Sequence, residues 1–358
     1  MDQNRRTFLK VSMTVQTFRL IALAAVANLT SPLAAQTLDV PAKTLAVPDT
    51  VSPQIQKLIG MPLRTGWNVL PKTGEEWKPI AEAGAAATMK ILPGLIERMK
   101  VKVEKTTIDG ARAFIVTPET IAPDNRNRVL IHMHGGCYVL SPGEAALPEA
   151  VMMAGLGGFK VISVDYRMPP EAYFPAALDD GITVYKNTLK ATEAKNIAIF
   201  GTSAGGALTL EMVLKAKQLG LPVPGAIAPG TPMSDVTKVG DTFYTNELVD
   251  NILVSRDGFC DAGAKVYAAG HDMKDPLISP VYGDMKGFPP AILTSGTRDL
   301  LLSNTVRVHR KLRQAGVEAL LQVFEGQSHA HYLRDDTAPE TKEVFAEISG
   351  FFNKHLGK

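Results

Sequence analysis

Ser203 stands at the end of the run "NIAIFGTSAGG", flanked by Gly201 and Gly205 in a Gly-x-Ser-x-Gly pattern between an apolar segment and a helix-like one. A strand that turns so sharply into a helix crowds its neighbours and lifts the central residue onto a strained corner, which explains glycine at both flanks. A hydroxyl held there, at the positive end of a helix dipole, can act as a nucleophile if a base and an acid that orients the base stand beside it. The same five residues also serve as a packing turn, so the partners decide between the two readings.

Of the seven histidines, His329 has the best setting. The segment "LLQVFEGQSHAHYL" leaves a strand at Phe324 and enters a loop at Gly326, and "AILTSGTRDLLLSN" leaves another strand and enters a loop carrying Asp299. One helix links these strands, so both loops open on the same sheet edge as Ser203. His331 is an alternative base, but the intervening residue turns its ring elsewhere. Asp275 and Asp284 are competing acids, although neither directly follows a strand, and Asp299 could instead serve only as a helix N-terminal acid. For the negative oxygen of an attacked carbonyl, "HMHGGCYVLSPGE" offers a loop after a strand. Glycine there lets backbone N–H groups approach a substrate closely. The expected donors are the amides of Gly135, Gly136 and Ala204, with His134 setting the loop.

These groups need a scaffold. "VKVEKTTIDGARAFIV" reads as a hairpin turning at Asp109-Gly110. Beyond it, "VLIHMH", "VISVD", "NIAIF", "GAIAP", "AILTS" and "ALLQVF" alternate with helical stretches, which predicts an α/β protein with a mostly parallel sheet of eight strands. The tail 339–356 carries Val344, Phe345, Ile348, Phe351, Phe352 and Leu356 on one helical stripe. Residues 75–99 read as an amphipathic helix broken at Pro93-Gly94. The longest gap between strands runs from Pro229 to Pro290.

Composition is ordinary for a globular chain, with 45% hydrophobic and 21% charged residues among 358. The net charge of +2 comes from the leader. Residues 1–35 hold Arg5, Arg6, Lys10 and Arg19 against Asp2, which leaves 34 basic and 35 acidic side chains beyond. No nucleic-acid surface is expected on such a body. The leader "NRRTFLKVSMTVQTFRLIALAAVANLTSPLAAQ" has signal-peptide grammar, and Arg5-Arg6 resembles a twin-arginine export signal. An exported, periplasmic mature chain from about Gln36 is expected, without stable membrane insertion. Cys137 and Cys260 could bridge in an oxidising compartment, but one distant pair is no disulfide framework, and two free, buried thiols are expected.

Together these stretches resemble the hormone-sensitive-lipase-like branch of the α/β-hydrolases across most of residues 100–355. "HGGCY" stands where that family has His-Gly-Gly-Gly and an aromatic, "GTSAGG" is its elbow in the Thr-containing variant, "VDYRMPPEAYFPAALDD" matches a structural segment, and "GTRDLLLSN" and "EGQSHAHY" match the acid and histidine stretches. The chain order Ser203, Asp299, His329 is the family's order. The resemblance implies the α/β-hydrolase fold, with residues 1–35 as signal, 36–100 as N-terminal arm and helical cap, and 101–358 as catalytic domain. It implies Ser203 as nucleophile, Asp299 as acid, His329 as base, and hydrolysis of short-to-medium acyl esters or lactones with no metal or organic cofactor. It also makes "ALLQVF" the candidate edge for a homodimer. It places Cys137, Tyr138 and His331 at the substrate pocket, where Cys137 departs from the pattern in place of a third glycine and His331 in place of an aromatic. Two rival readings are a metal-dependent hydrolase using the His132-x-His134 and His329-x-His331 pairs, and a non-enzymatic binding protein on the same fold.

Overall fold

The computed structural model describes residue 38 and residues 40–357. The expected signal peptide, residues 1–35, lies outside the described residues. Val47–Lys358 form one compact unit, which contains the sheet, and the chain through Ala46 is divided from it.

Eight strands follow the alternation of the sequence: β1 Val101–Ile108, β2 Ala111–Pro118, β3 Val129–Met133, β4 Lys160–Val164, β5 Ile197–Thr202, β6 Ala226–Gly230, β7 Ala291–Gly296 and β8 Ala319–Phe324. The helices that position the site are α1 Pro53–Ile59, α2 Gly74–Met99, α3 Pro148–Gly157, α4 Ala176–Thr188, α5 Ala204–Gln218, α6 Phe259–Ala268, α7 Leu302–Gln314 and α8 Pro339–His355. The strands lie in the order β1-β2-β4-β3-β5-β6-β7-β8. β1 and β2 pair antiparallel, as do β2 and β4, and every other pair is parallel. The β1–β2 turn sits where it was expected, with Asp109 at φ 48° and Gly110 at φ 92°, the two positive angles that a two-residue hairpin turn requires.

Alternation along the strands sorts the core into two faces. Ala198 and Phe200 of β5, with Leu130 of β3 and Ile292 of β7, meet α3 and α8 on one side. Ile197, Ile199, Ile131, Met133 and Leu293 meet α4, α5 and α7 on the other. The α8 stripe is buried throughout, from Val344 to Leu356, and Phe352 meets Phe159 edge to face at 6.1 Å. β8 forms one sheet edge, where Leu320 and Val323 are exposed.

One expectation fails here. α2 runs unbroken through Pro79 and Pro93. A proline inside a helix removes one backbone bond, but Leu92 and Leu95 on this turn are buried in the same cluster as α3. That burial outweighs the local penalty, since most helix stability in a protein comes from the packed face. Among the described residues, no helix is long and apolar enough to cross a membrane.

Candidate active site

The elbow lies between β5 and α5. Ser203 adopts φ 66° and ψ −122°, a backbone conformation that a side-chain-bearing residue holds only when its surroundings enforce it. They do so through three backbone bonds: the Ser203 N–H donates to the Gly230 carbonyl at 2.9 Å, and its carbonyl accepts from Ala207 and Met233, each at 3.0 Å. A Cβ on Gly201 or Gly205 would collide with the Met133 carbonyl oxygen. The two glycines are therefore required by the close approach of β3.

Beneath the elbow, the Thr202 hydroxyl donates to Glu149 Oε1 at 2.7 Å and lies 2.8 Å from the Tyr332 hydroxyl. His132 spans Ser163 Oγ at 2.9 Å and Glu149 Oε2 at 3.2 Å. His134 stacks on Tyr166 with ring centroids 3.9 Å apart, and its Nδ1–H donates to the Gly135 carbonyl at 2.8 Å. Burial lowers the His134 pKa to about 3, so this ring is a neutral prop for the glycine loop. His132 and His134 thus divide between separate partners. Among the described residues, no group of three or more His, Cys, Asp or Glu side chains is arranged to hold a metal.

The glycine loop runs against the Ser203 corner. A Cβ on Gly135 would lie 2.7 Å from the Thr202 carbonyl oxygen and 3.3 Å from Ser203 Cβ, so only glycine lets this backbone come so near. Gly136 at φ 117° and Cys137 at φ 52° continue the turn. The expectation of free thiols is overturned: Cys137 and Cys260 form a disulfide with their Cα atoms 5.2 Å apart. It ties the loop to α6, which belongs to the long segment between β6 and β7. That segment folds back over a sequence separation of 123 residues, a contact no local pattern announces.

At the neighbouring strand ends, His329 Nδ1 lies 3.1 Å from Asp299 Oδ1. The second Asp299 oxygen accepts from the Thr231 hydroxyl at 2.5 Å and the Ser295 hydroxyl at 3.2 Å, while Oδ1 also accepts from the Leu301 N–H at 2.8 Å. Four donors therefore hold the carboxylate in one orientation, which charge-assisted bonds do strongly. Asp250 stands behind. It accepts from the Ile252, Leu253 and Leu300 N–H groups at 2.8–3.1 Å and from His329 N–H at 3.3 Å. Burial, and after it the Asp299 charge, push the Asp250 carboxyl up to about 6.

These parts face one cavity of about 730 Å³, lined by Ser203, His329, Gly135, Gly136 and Cys137. Residues 61–65 and α2 supply the opposite wall. Ala204, fully buried, opens α5 directly behind Ser203. Two residues expected at the pocket lie elsewhere. Tyr138 is buried on the far side of its loop, stacked on Tyr267 at 4.2 Å with its hydroxyl donating to Glu211 at 3.2 Å; its positive φ of 65° turns it inward. His331 is buried too. Its Nδ1 accepts from the Ser328 N–H at 3.2 Å and its Nε2 faces Asn251 Oδ1 at 2.9 Å. Burial lowers its pKa to about 3. It positions the neighbouring loop, because Asn251 also donates to the carbonyls of Leu58 and Met61. Sequence reasoning missed Thr231, Asp250 and Asn251. Thr231 directly follows β6, the same signal that singled out Asp299, whereas Asp250 and Asn251 follow no strand.

Comparison with known proteins agrees with this architecture. Residues 130–333 match a family described by the alpha/beta hydrolase fold. A crystal structure of an esterase, E25, superposes with a TM-score of 0.86 at 42% identity, covering 89% of this chain and 99% of that one. A crystal structure of an esterase from the bacterial hormone-sensitive lipase family superposes with a TM-score of 0.72 at 26% identity, covering 86% and 99%. An esterase of Acinetobacter venetianus is 29% identical over 255 residues, 70% of this chain and 82% of its own. The chain belongs to the α/β-hydrolase superfamily, within its hormone-sensitive-lipase-like esterase family.

Proposed function

We propose that this carboxylic ester hydrolase works through an acyl-enzyme intermediate on Ser203, with His329 as base and Asp299 as the acid that orients it. The observation that carries the reading is the cavity wall on which the strained Ser203, the Asp299-bound His329 and the Gly135-Gly136 backbone stand together. The Nδ1–H of His329 donates a hydrogen bond to the Asp299 carboxylate and stays on the ring, leaving Nε2 able to take the Ser203 hydroxyl proton as Oγ bonds to the ester carbonyl carbon. The carbonyl oxygen becomes an oxyanion and rests on the amides of Gly135, Gly136 and Ala204. His329 then passes its proton to the leaving alcohol as the C–O bond breaks. Water, deprotonated by the same ring, releases the acid and restores the serine hydroxyl.

Short-to-medium acyl esters or lactones are the substrate class in this proposal. The disulfide at Cys137 suits an oxidising compartment, which supports export as part of the same reading. N-terminal sequencing of the periplasmic protein tests that part: a chain starting near Gln36 is expected, and an intact cytosolic Met1 chain would remove it. For the chemistry, the test is intact mass after a fluorophosphonate. One adduct is expected on the wild type, none on Ser203→Ala, and greatly slowed labelling on His329→Ala. A folded wild type that takes no adduct overturns the mechanism.

A further inference from the structure

The cavity that holds Ser203 also holds two guanidinium groups. Arg64 lies on the connection between α1 and α2, and Arg334 follows the short turn His331–Leu333. Both are open to the cavity rather than folded into the core. Arg64 sits over the Phe259 ring, its guanidinium carbon 4.1 Å from the centroid. No ion pair among the described residues involves either group, whereas Arg98, Arg112, Arg167, Arg256 and Arg307 each have a carboxylate partner.

The two charges share one field. Burial lowers the Arg334 pKa, and the Arg64 charge lowers it further, with Asp250 opposing. Glu149 is the one acidic residue on the cavity wall among the described residues, and its oxygens already serve Thr202 and His132. The surface around the arginines is apolar, from Leu63, Ile252, Leu253 and Phe259. Two guanidiniums that act on each other across one cleft, neither of them in an ion pair among the described residues, repel each other. An anion docked between them relieves that repulsion, and a planar carboxylate matches the guanidinium fork in two bonds.

Both arginines are placed by the same residue. The Arg64 N–H donates to the Asn251 carbonyl at 2.9 Å, and Asn251 Oδ1 faces His331, whose carbonyl accepts from the Arg334 N–H at 3.0 Å. The backbone at both arginines is thereby tied to one buried asparagine–histidine pair, and both side chains line the same cavity.

We infer that Arg64 and Arg334 form a carboxylate subsite, and that the preferred substrates are esters carrying a second, free carboxylate, such as half-esters of dicarboxylic acids. The methylene chain between the two carbonyl carbons lies on the apolar wall, the ester at Ser203 and the free carboxylate at the arginines. This rests on the ester-hydrolase reading above and narrows it.

The test compares kcat/KM by pH-stat for monomethyl glutarate, adipate and suberate with that for methyl hexanoate and dimethyl adipate. The enzymes are the wild type, Arg334→Lys, Arg334→Gln and the Arg64→Gln/Arg334→Gln double variant. At least one half-ester should exceed its neutral counterparts tenfold or more in the wild type, mainly through KM. That ratio should fall below twofold in the double variant and be partly kept by Arg334→Lys. Neutral esters preferred at every chain length, or an unchanged ratio in the double variant, overturns the inference. Calorimetry with free adipate separates the two readings. Adipate binding that is lost in the double variant, in an enzyme that cleaves no ester, keeps the subsite and sinks the hydrolase mechanism. Inorganic phosphate binding as tightly as adipate overturns the carboxylate assignment.

Discussion

Replacing Asp299 by asparagine should lower kcat by about 10²–10³-fold with KM little changed, and the reason lies in how its two oxygens divide their work. Oδ1 accepts from the Leu301 N–H at 2.8 Å and faces His329 Nδ1 at 3.1 Å. Oδ2 accepts only from hydroxyls, those of Thr231 and Ser295. A hydroxyl can turn and accept, but the Leu301 N–H cannot. Asparagine therefore settles with its oxygen at the Oδ1 position and its amide nitrogen toward the two hydroxyls. His329 keeps its proton on Nδ1 and its reactive Nε2 unprotonated. What is lost is one negative charge, which at roughly 4 Å and an effective dielectric of about 20 is worth about 4 kcal/mol to an imidazolium. Asp250 returns part of this, because the Asp299 charge is one of the causes that raise its pKa to about 6; removing that charge favours the Asp250 carboxylate. The assay is kcat and KM on a soluble short-chain ester at pH 8, normalised to sites that react with a fluorophosphonate. A fall below tenfold would mean that the Asp299 charge does not support His329. A fall of about 10⁴ would mean an inverted tautomer, reached if Thr231, 3.3 Å from His329 Nδ1, turns its proton onto the ring. Either result would refute the reasoning.

Three further outcomes are expected. Glu211 is fully buried and its pKa is pushed well above 4.5 by burial, against a lowering bond from Tyr138. A carboxyl raised on folding stabilises fully below 4.5 and loses that contribution as pH climbs toward the folded value, so Glu211→Gln should gain stability relative to the wild type from pH 5 to pH 9 in thermal melts; parallel curves would refute this. Opening the Cys137–Cys260 bridge frees a loop of 123 residues in sequence separation, worth about 5 kcal/mol in the chain-entropy account. Reduction, verified by mass, should therefore lower Tm by on the order of 10 °C; an unchanged Tm would show that the bridge constrains little. Gly205→Ala drives a methyl into the Met133 carbonyl oxygen and to 2.8 Å from the His134 carbonyl carbon, so little soluble, labelled protein is expected; a folded variant that labels at the wild-type rate would contradict the packing argument.

The fold was legible because its signals are local. Alternation in β5 and β7, positive φ at Asp109-Gly110 and the α8 stripe are each written within a few residues. The strand ends could be read too, because a parallel sheet sends every such loop to one edge. That is why Ser203, Asp299 and His329 could be grouped from sequence, and the structure places His329 beside Asp299 and, with Ser203, on one cavity wall. Pro93 misled because its penalty is local whereas the burial of Leu92 and Leu95 is tertiary. Side-chain direction in the glycine loop and after His329 was equally hidden. Tyr138 and Cys137 are adjacent in sequence and both have positive φ, yet one faces Tyr267 and the other the cavity. The long segment between β6 and β7 illustrates the general limit. Asp250 braces His329, Asn251 holds the Arg64 connection, and Cys260 bridges to the glycine loop, each by returning across many residues to an element it does not adjoin in sequence. In a parallel α/β sheet the chemistry is carried by strand ends and can be read from alternation. The pocket around it is shaped by such returning segments, so the reaction is legible earlier than the substrate. It follows that substrate choice in this chain should respond most to substitutions in residues 61–65 and 250–260 and at Arg334, walls contributed by segments that do not adjoin the elbow in sequence.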